Sequence, residues 1–390
     1  MKKIFIVISA GLAAVLMIVV VVAANGFSAQ ETDLTAYGEV YEVNLGADGL
    51  LYVSDYTASQ IWRVDPDSSA VDVFEVPEDV LDAKPDPSGD IWWTDGATIF
   101  ARLDPDGATP TAQAWEVPIG HNLQGVTFDD SGKVWMSEWI NYDSNVYSFK
   151  ISTTELCTHT LTIDGSTQAS SQSYYILFDE DKLWIADRGD QRIFRLDPAL
   201  NQATWWQIPD SAARPVGIAI DDQGNFWWGD EGLGALARLD PLTNEMVRYD
   251  LPYTAKPKEI VPEGSAVWYT AQKSVQPGTY GALFPGNTHG STAVLNSQTH
   301  VVNKSCAILG SGEELSVSLD TRSLSWSGVG VTRTIASASW QVYQLPELSK
   351  PYGLSIVSDN LWMSDQGRQK LIQSPITVQE NLYLPLILKK

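Results

Sequence analysis

The stretch FWWGD, Phe226 to Asp230, is one of seven short apolar-aromatic runs that close on a small residue and usually an acid. The others are LYVSD ending at Asp55, IWWTD at Asp95, VWMSE at Glu138, LWIAD at Asp187, VWYTA at Ala271 and LWMSD at Asp365. Along the chain the first six lie 40, 43, 49, 43 and 41 residues apart, and the last follows after 94. A period in the forties with several short strands per period is the signature of a β-propeller. One such unit cannot cover both faces of its sheet, but units stacked in a ring cover each other.

The flanks of each copy supply the remaining strands. A turn rich in Asp, Gly, Asn or Ser precedes most copies: GADG to Gly49, PSGD to Asp90, DSGK to Lys133, DQGN to Asn225 and VSDN to Asn360. Such residues favour a tight hairpin between an inner strand and the aromatic one. A third strand ends in Asp-Pro at Pro66, Pro105, Pro198 and Pro241, where proline cannot continue a ladder. A fourth alternates with period two, as in VDVFEVP to Pro77, AQAWEVP to Pro118 and MVRYDLP to Pro252. The expectation is an all-β chain: a seven-bladed β-propeller of four-stranded antiparallel blades over residues 37–385. Fifteen Trp and fifteen Tyr suit aromatic packing between sheets, and 29 Gly with 20 Pro suit a chain of many turns.

The interval between Ala271 and Asp365 is doubled. Strands YGALFP, Tyr280 to Pro285, and WQVYQLP, ending at Pro346, can both be found in it. The Ser-, Thr- and Gly-rich residues between them, 286–339, read as a β-rich insertion within the sixth blade, a β-hairpin or two. The alternative is an eighth, degenerate blade. The terminal NLYLPLILKK, Asn381 to Lys390, reads as the outer strand of the last blade.

Residues 1–28 begin with Lys2 and Lys3 ahead of an apolar stretch from Ile4 to Ala24. This is a signal peptide or an N-terminal membrane anchor, and either places the body outside the cytoplasm, secreted or anchored. A formal charge of −23 excludes general affinity for nucleic acid or anionic membrane and favours a soluble monomer. Cys157 and Cys306 fall in the third and sixth periods, so unpaired thiols are expected rather than a bridge. The four histidines show no metal-ligand spacing; His121 alone stands in a loop leading to an inner strand.

In a four-stranded blade the loop entering the innermost strand opens on the same rim as the end of the second strand. That rim gathers Lys84, Arg214, Lys256, Lys258 and Lys350, with Gln124 and Tyr352 beside them. It also gathers the acids that end the aromatic strands. Either each cation pairs with a neighbouring acid and holds the ring in register, or the inner cations form a funnel for a small anionic molecule. Glu138, Asp187 and Asp230 are the candidate ligands for Mg²⁺ or Ca²⁺, no cofactor being certain. An extracellular protein is the alternative partner.

The segment RPVGIAIDDQGNFWWGDEGLGALARLDPLTNEMVRYDLP, Arg214 to Pro252, resembles a blade of the streptogramin B lyase (virginiamycin B lyase) family. The similarity runs from about Tyr37 to Gln373, less the insertion. It implies a seven-bladed propeller and Mg²⁺-assisted elimination that opens a cyclic depsipeptide ester. In that family histidines fill the x of Pro-x-Gly-Ile in late blades, with glutamates nearby. The matching positions here are Val216, Lys258 and Tyr352, and Arg214, Lys256 and Lys350 precede the prolines. No histidine stands at any of them, so the resemblance carries the fold and not the catalytic residues. The expectation is a binding propeller, with a metal-assisted C–O lyase or lactonase as the alternative.

Overall fold

The computed structural model describes residues 28–33, 40–106, 110–118, 122–141, 145–161, 171–273, 277–287, 290–330, 332–337 and 340–376. All but the last residue of the leader, His121, His289 and the terminal 381–390 lie outside them. Among the described residues no helix is long and apolar enough to cross a membrane.

The chain is an all-β propeller. The first repeat has strands Val40–Leu45, Leu51–Asp55, Gln60–Val64 and Ala70–Glu75, each antiparallel to the one before. The pattern recurs over 82–116, 122–160, 171–207, 215–250, 256–344 and 351–375. Among the described residues the sheets number five of five strands and one of ten, the latter joining the third and fourth repeats where Trp139 pairs with Gln172. The innermost strands touch in a closed cycle, from Val40–Leu45 through Asp82–Pro85, Asn122–Phe128, Ser171–Asp179, Pro215–Ile220 and Lys256–Glu263 to Pro351–Val357 and back.

Local chemistry explains the hairpins. Asp86 and Asp129 accept backbone N–H bonds two and four residues on, closing the turn, and their second oxygens take the indole N–H of Trp92 at 3.0 Å and of Trp135 at 3.2 Å. Asp221 does the same for Trp227 at 2.7 Å. One acid six residues before the aromatic thus fixes both the turn and the ring. The rings then pack between sheets. Phe226 and Trp228 of the fifth repeat lie against Trp184 and Trp206 of the fourth, with Trp184 and Phe226 stacked at 4.9 Å. Each of the seven buried apolar clusters among the described residues draws on two consecutive repeats.

Three expectations are corrected. The propeller begins before residue 37, because the N-terminal strand Ser28–Asp33 takes the place beside Lys370–Pro375 in the last sheet. The segment 286–339 is neither a local pair of hairpins nor an extra sheet. It is a strap whose strands between 291 and 330 each pair with a different repeat. The strap also explains the cysteines. It carries Cys306 from the sixth period round to the third, directly opposite Cys157, and the two form a disulfide with Cα atoms 4.0 Å apart.

Candidate functional site

The innermost strands are locked to each other by the small residue of the repeated signature. The Ser54 hydroxyl accepts the Glu42 N–H at 3.0 Å and donates to the Leu81 carbonyl of the next repeat at 3.1 Å. Thr270 accepts from Glu259 N–H at 3.2 Å and donates to Tyr352 O at 2.6 Å, and Ser364 joins Gly353 to Tyr41 in the same way. These bonds hold a bulge in each of these three inner strands, which turns the bulged side chains toward the axis.

The side chains so presented form one cluster. The Tyr41 and Tyr175 hydroxyls both bond the Tyr352 hydroxyl, at 2.9 and 3.0 Å, joining residues from three repeats. Glu42 bonds Tyr175, and Lys84 pairs with Asp82 at 3.1 Å. Asp82 is itself held by the Val126 N–H at 2.9 Å. Lys258 lies 5.3 Å from the Tyr352 ring centre and pairs with Glu231, which Arg188 also meets at 3.1 Å. Tyr41, Glu42, Leu81, Asp82, Gln124, Gly125 and Tyr175 line a cavity of about 230 Å³, its open mouth included.

Burial and then the Asp82 carboxylate push the Glu42 carboxyl up to about 8, against the pull of Lys84, Tyr175 and Lys258. Burial and then Glu42 push Glu259 well above the carboxylate range. Both Glu259 and Lys84 are surrounded by protein while part of their surface stays open to the channel. Burial works against the charge on Lys84, but Asp82, Glu42 and Glu259 outweigh it and raise the ammonium pKa. The cluster is therefore a store of protons among fixed cations.

The structure brings Lys84, Gln124, Lys258 and Tyr352 to this axis. It does not bring Arg214, Lys256 and Lys350. The Arg214 guanidinium bonds carbonyls of its own loop, Ser211 O at 3.2 Å and Ala213 O at 2.6 Å. Lys256 and Lys350 are exposed at the strand entrances.

Glu138, Asp187 and Asp230 do not converge either, and the metal assignment is withdrawn. Asp187 accepts the N–H groups of Gln172, Gly189 and Asp190 at 3.0–3.2 Å. Asp230 accepts those of Arg214, Gly232 and Leu233 at 2.8–3.0 Å. Glu138 accepts the Tyr147 hydroxyl at 2.9 Å. Asp187, Asp230 and Asp365 thus tie their second strands to the residues that lead into their own sheets, while Asp55 and Asp95 close the turn that follows. Among the described residues, the group of three close metal donors is Glu155, Cys157 and Cys306, whose sulfurs are consumed in the disulfide.

Sequence reasoning missed Glu42, Asp82, Tyr175, Glu231 and Glu259. A signal for three of them was present. Glu42 and Glu259 precede Val43 and Ile260, which pair with the middle of their second strands, as Ile218 and Leu354 do. They therefore stand where Gly217 and Gly353 stand in the repeat, and Asp82 precedes Ala83 likewise. At Gly217, with φ +47°, a Cβ would lie 1.9 Å from the Lys258 carbonyl oxygen. An acid at this position is a departure from the repeat that packing does not ask for.

The virginiamycin B lyase family model matches residues 27–282. Virginiamycin B lyase from Staphylococcus aureus superposes with a TM-score of 0.65 at 16% identity, covering 90% of this chain and 100% of that one. A catalytically inactive variant of that enzyme, solved with quinupristin, gives a TM-score of 0.64 at 16% identity over the same shares of both chains. A streptogramin B lyase structure gives 0.65 at 19% identity, covering 89% of this chain and 97% of that chain. A search of curated protein sequences returned no match. With the family model spanning well over half of its length, the chain belongs to the virginiamycin B lyase family.

Proposed function

We propose that this chain is a seven-bladed propeller working outside the cytoplasm, and that it captures a small anionic group, a carboxylate or a phosphate, at the axial cluster. The closed cycle of seven inner strands and the seven inter-sheet cores support the blade count. The disulfide and the Lys2-Lys3 apolar leader support the location, because disulfides persist in oxidising compartments.

One observation carries the ligand class. Lys84, Lys258 and Arg188 bring three positive charges to the axis, while Asp82 and Glu231 bring two negative ones. Glu42, raised by burial to about 8, keeps its proton near neutrality and acts as a donor instead of an opposing anion, and burial pushes Glu259 in the same direction. These cations make a local concentration of positive charge inside a body of formal charge −23. Low-dielectric walls focus that potential on the channel mouth.

Mg²⁺ fits this chain poorly. The positions matching the family's histidines hold Val216, Lys258 and Tyr352, and the rim acids are spent on backbone N–H groups. Calorimetric titration of the purified protein at pH 6.5 with small carboxylates and inorganic phosphate tests the proposal. Lys84→Met and Lys258→Met should each weaken binding at least tenfold; affinity unchanged in both would refute it.

A second reading, a C–O lyase or lactonase acting on a cyclic ester, draws support from Glu42, poised near 8 beside the Tyr175 hydroxyl where a general base is wanted. Its mark is ester opening lost in Glu42→Gln. In the metal-assisted form of this reading, EDTA abolishes that activity as well.

A further inference from the structure

The strap makes a full circuit of the ring. It leaves the sixth repeat after Thr279–Leu283 and lays Ser291–Val294 on the fifth, Ser297–Val301 on the fourth and Asn303–Ile308 on the third. Glu313–Leu315 then joins the second and Ser318–Ser323 the first. Trp326–Gly330 covers the N-terminal strand Ser28–Asp33, and Thr332–Ser337 returns to the sixth, pairing with Trp340–Gln344. The order of visits is the reverse of the chain's own.

Its docking repeats as well. Leu295, Val302 and Leu309, seven residues apart, and then Leu324, each enter a groove between two repeats. Their backbone N–H groups bond the carbonyls of Asn244, Asn201, Thr154 and Ser69 at 2.8–2.9 Å. All four acceptors sit at turns with positive φ. The strap therefore covers the outer edge of every sheet and plugs several of the seams between them.

A single covalent bond pins it. Cys157–Cys306 lies on the third repeat, three steps from the strap's roots in one direction and four in the other, which is the far side of the ring. Cys157 is buried, but Cys306 and its whole strand are exposed, so a thiol in solution can reach the bond.

We propose that the strap is a redox-locked hoop that holds the ring closed, including the joint where Ser28–Asp33 seals the last sheet. An external dithiol would attack the disulfide through a mixed disulfide. The S–S bond breaks, Cys157 and Cys306 become thiols, and the dithiol is oxidised to its own disulfide. The strap, held then only by edge pairing and shallow plugs, opens from its far side while the inner strands keep their clasp bonds.

Hydrogen exchange on the purified protein, folded first and then treated with dithiothreitol, tests this without asking a variant to fold. Peptides over 291–330 should exchange at least tenfold faster after reduction, and unfolding in denaturant should accelerate at least tenfold. Peptides over the inner strands should keep their protection in native buffer. Unchanged exchange in the strap would overturn the proposal. So would loss of protection throughout, because the bond would then be holding the fold rather than the hoop. Cys306→Ser, if it folds, should match the reduced protein with or without dithiol.

Discussion

Asp230 and Glu42 are both buried acids, one at the end of a second strand and one on an innermost strand, and the chain treats them differently. Asp230 is 1% exposed and accepts three backbone N–H bonds, so burial raises its pKa while those donors pull it back. Glu42 is 7% exposed and is held by a tyrosine hydroxyl and distant cations, with Asp82 pressing against it. The first arrangement stabilises a carboxylate and spends it on the fold. The second leaves a carboxyl that gains or loses a proton near neutral pH. Repeated acids in a propeller are thus poor evidence of a site, and an acid that interrupts the repeat is better evidence.

The contrast breaks most readily at the rim. Asp230→Ala leaves three part-buried N–H groups without their acceptor and should lower the unfolding free energy by about 3 kcal/mol, measured by denaturant titration. Asp230→Asn, which keeps an acceptor oxygen, should cost clearly less. Next comes the clasp. Ser364→Ala removes one bond to Gly353 and one to Tyr41 and should cost about 2 kcal/mol in the same measurement. At the axis, Glu42→Gln mimics the protonated form and should change stability at pH 6 by no more than about 1 kcal/mol.

Acidity sharpens the contrast further. The folded pKa of Glu42 is raised, so the folded state holds its proton more tightly than the unfolded chain does. That contribution is complete below the ordinary carboxylate value and is lost as pH rises through about 8. His159 works in the opposite sense. Burial, and then Lys304, lower its pKa to about 3, so its contribution is present above the ordinary histidine value and is lost as pH falls toward 3. Tm should therefore peak in weakly acidic buffer. In Glu42→Gln the decline between pH 6 and 9 should be blunted while the acid side is unchanged; equal alkaline declines in both proteins would contradict the assignment.

The fold was legible because each repeat carries its own instructions. The Asp six residues before Trp92, Trp135 or Trp227 makes the turn and anchors the ring, and Ser54, Thr270 and Ser364, at one fixed place in the period, clasp each inner strand to the next. The strap was not legible, because its partners lie in every other repeat and it lacks the aromatic signature. Its seven-residue rhythm of Leu295, Val302 and Leu309 has meaning only against grooves that exist after the ring forms. The disulfide stayed hidden for the same reason. At the site, position along the repeat placed Lys84, Gln124, Lys258 and Tyr352 on one rim, and the structure sets them around the axis. It could not show that Arg214 would turn back onto its own carbonyls, or that Asp187 and Asp230 would be occupied by N–H groups.

The most direct test of the axial site is a thermal-shift comparison of the purified protein with small carboxylates and phosphate at pH 6 and pH 9, each with and without Mg²⁺ or Ca²⁺. The account requires anions to raise Tm at pH 6 without metal, an effect that shrinks at pH 9 as Glu42 ionises and disappears in Lys84→Met. Stabilisation that needs a divalent cation, or that survives Lys84→Met and vanishes in Asp187→Asn, would contradict it and return the chemistry to the rim.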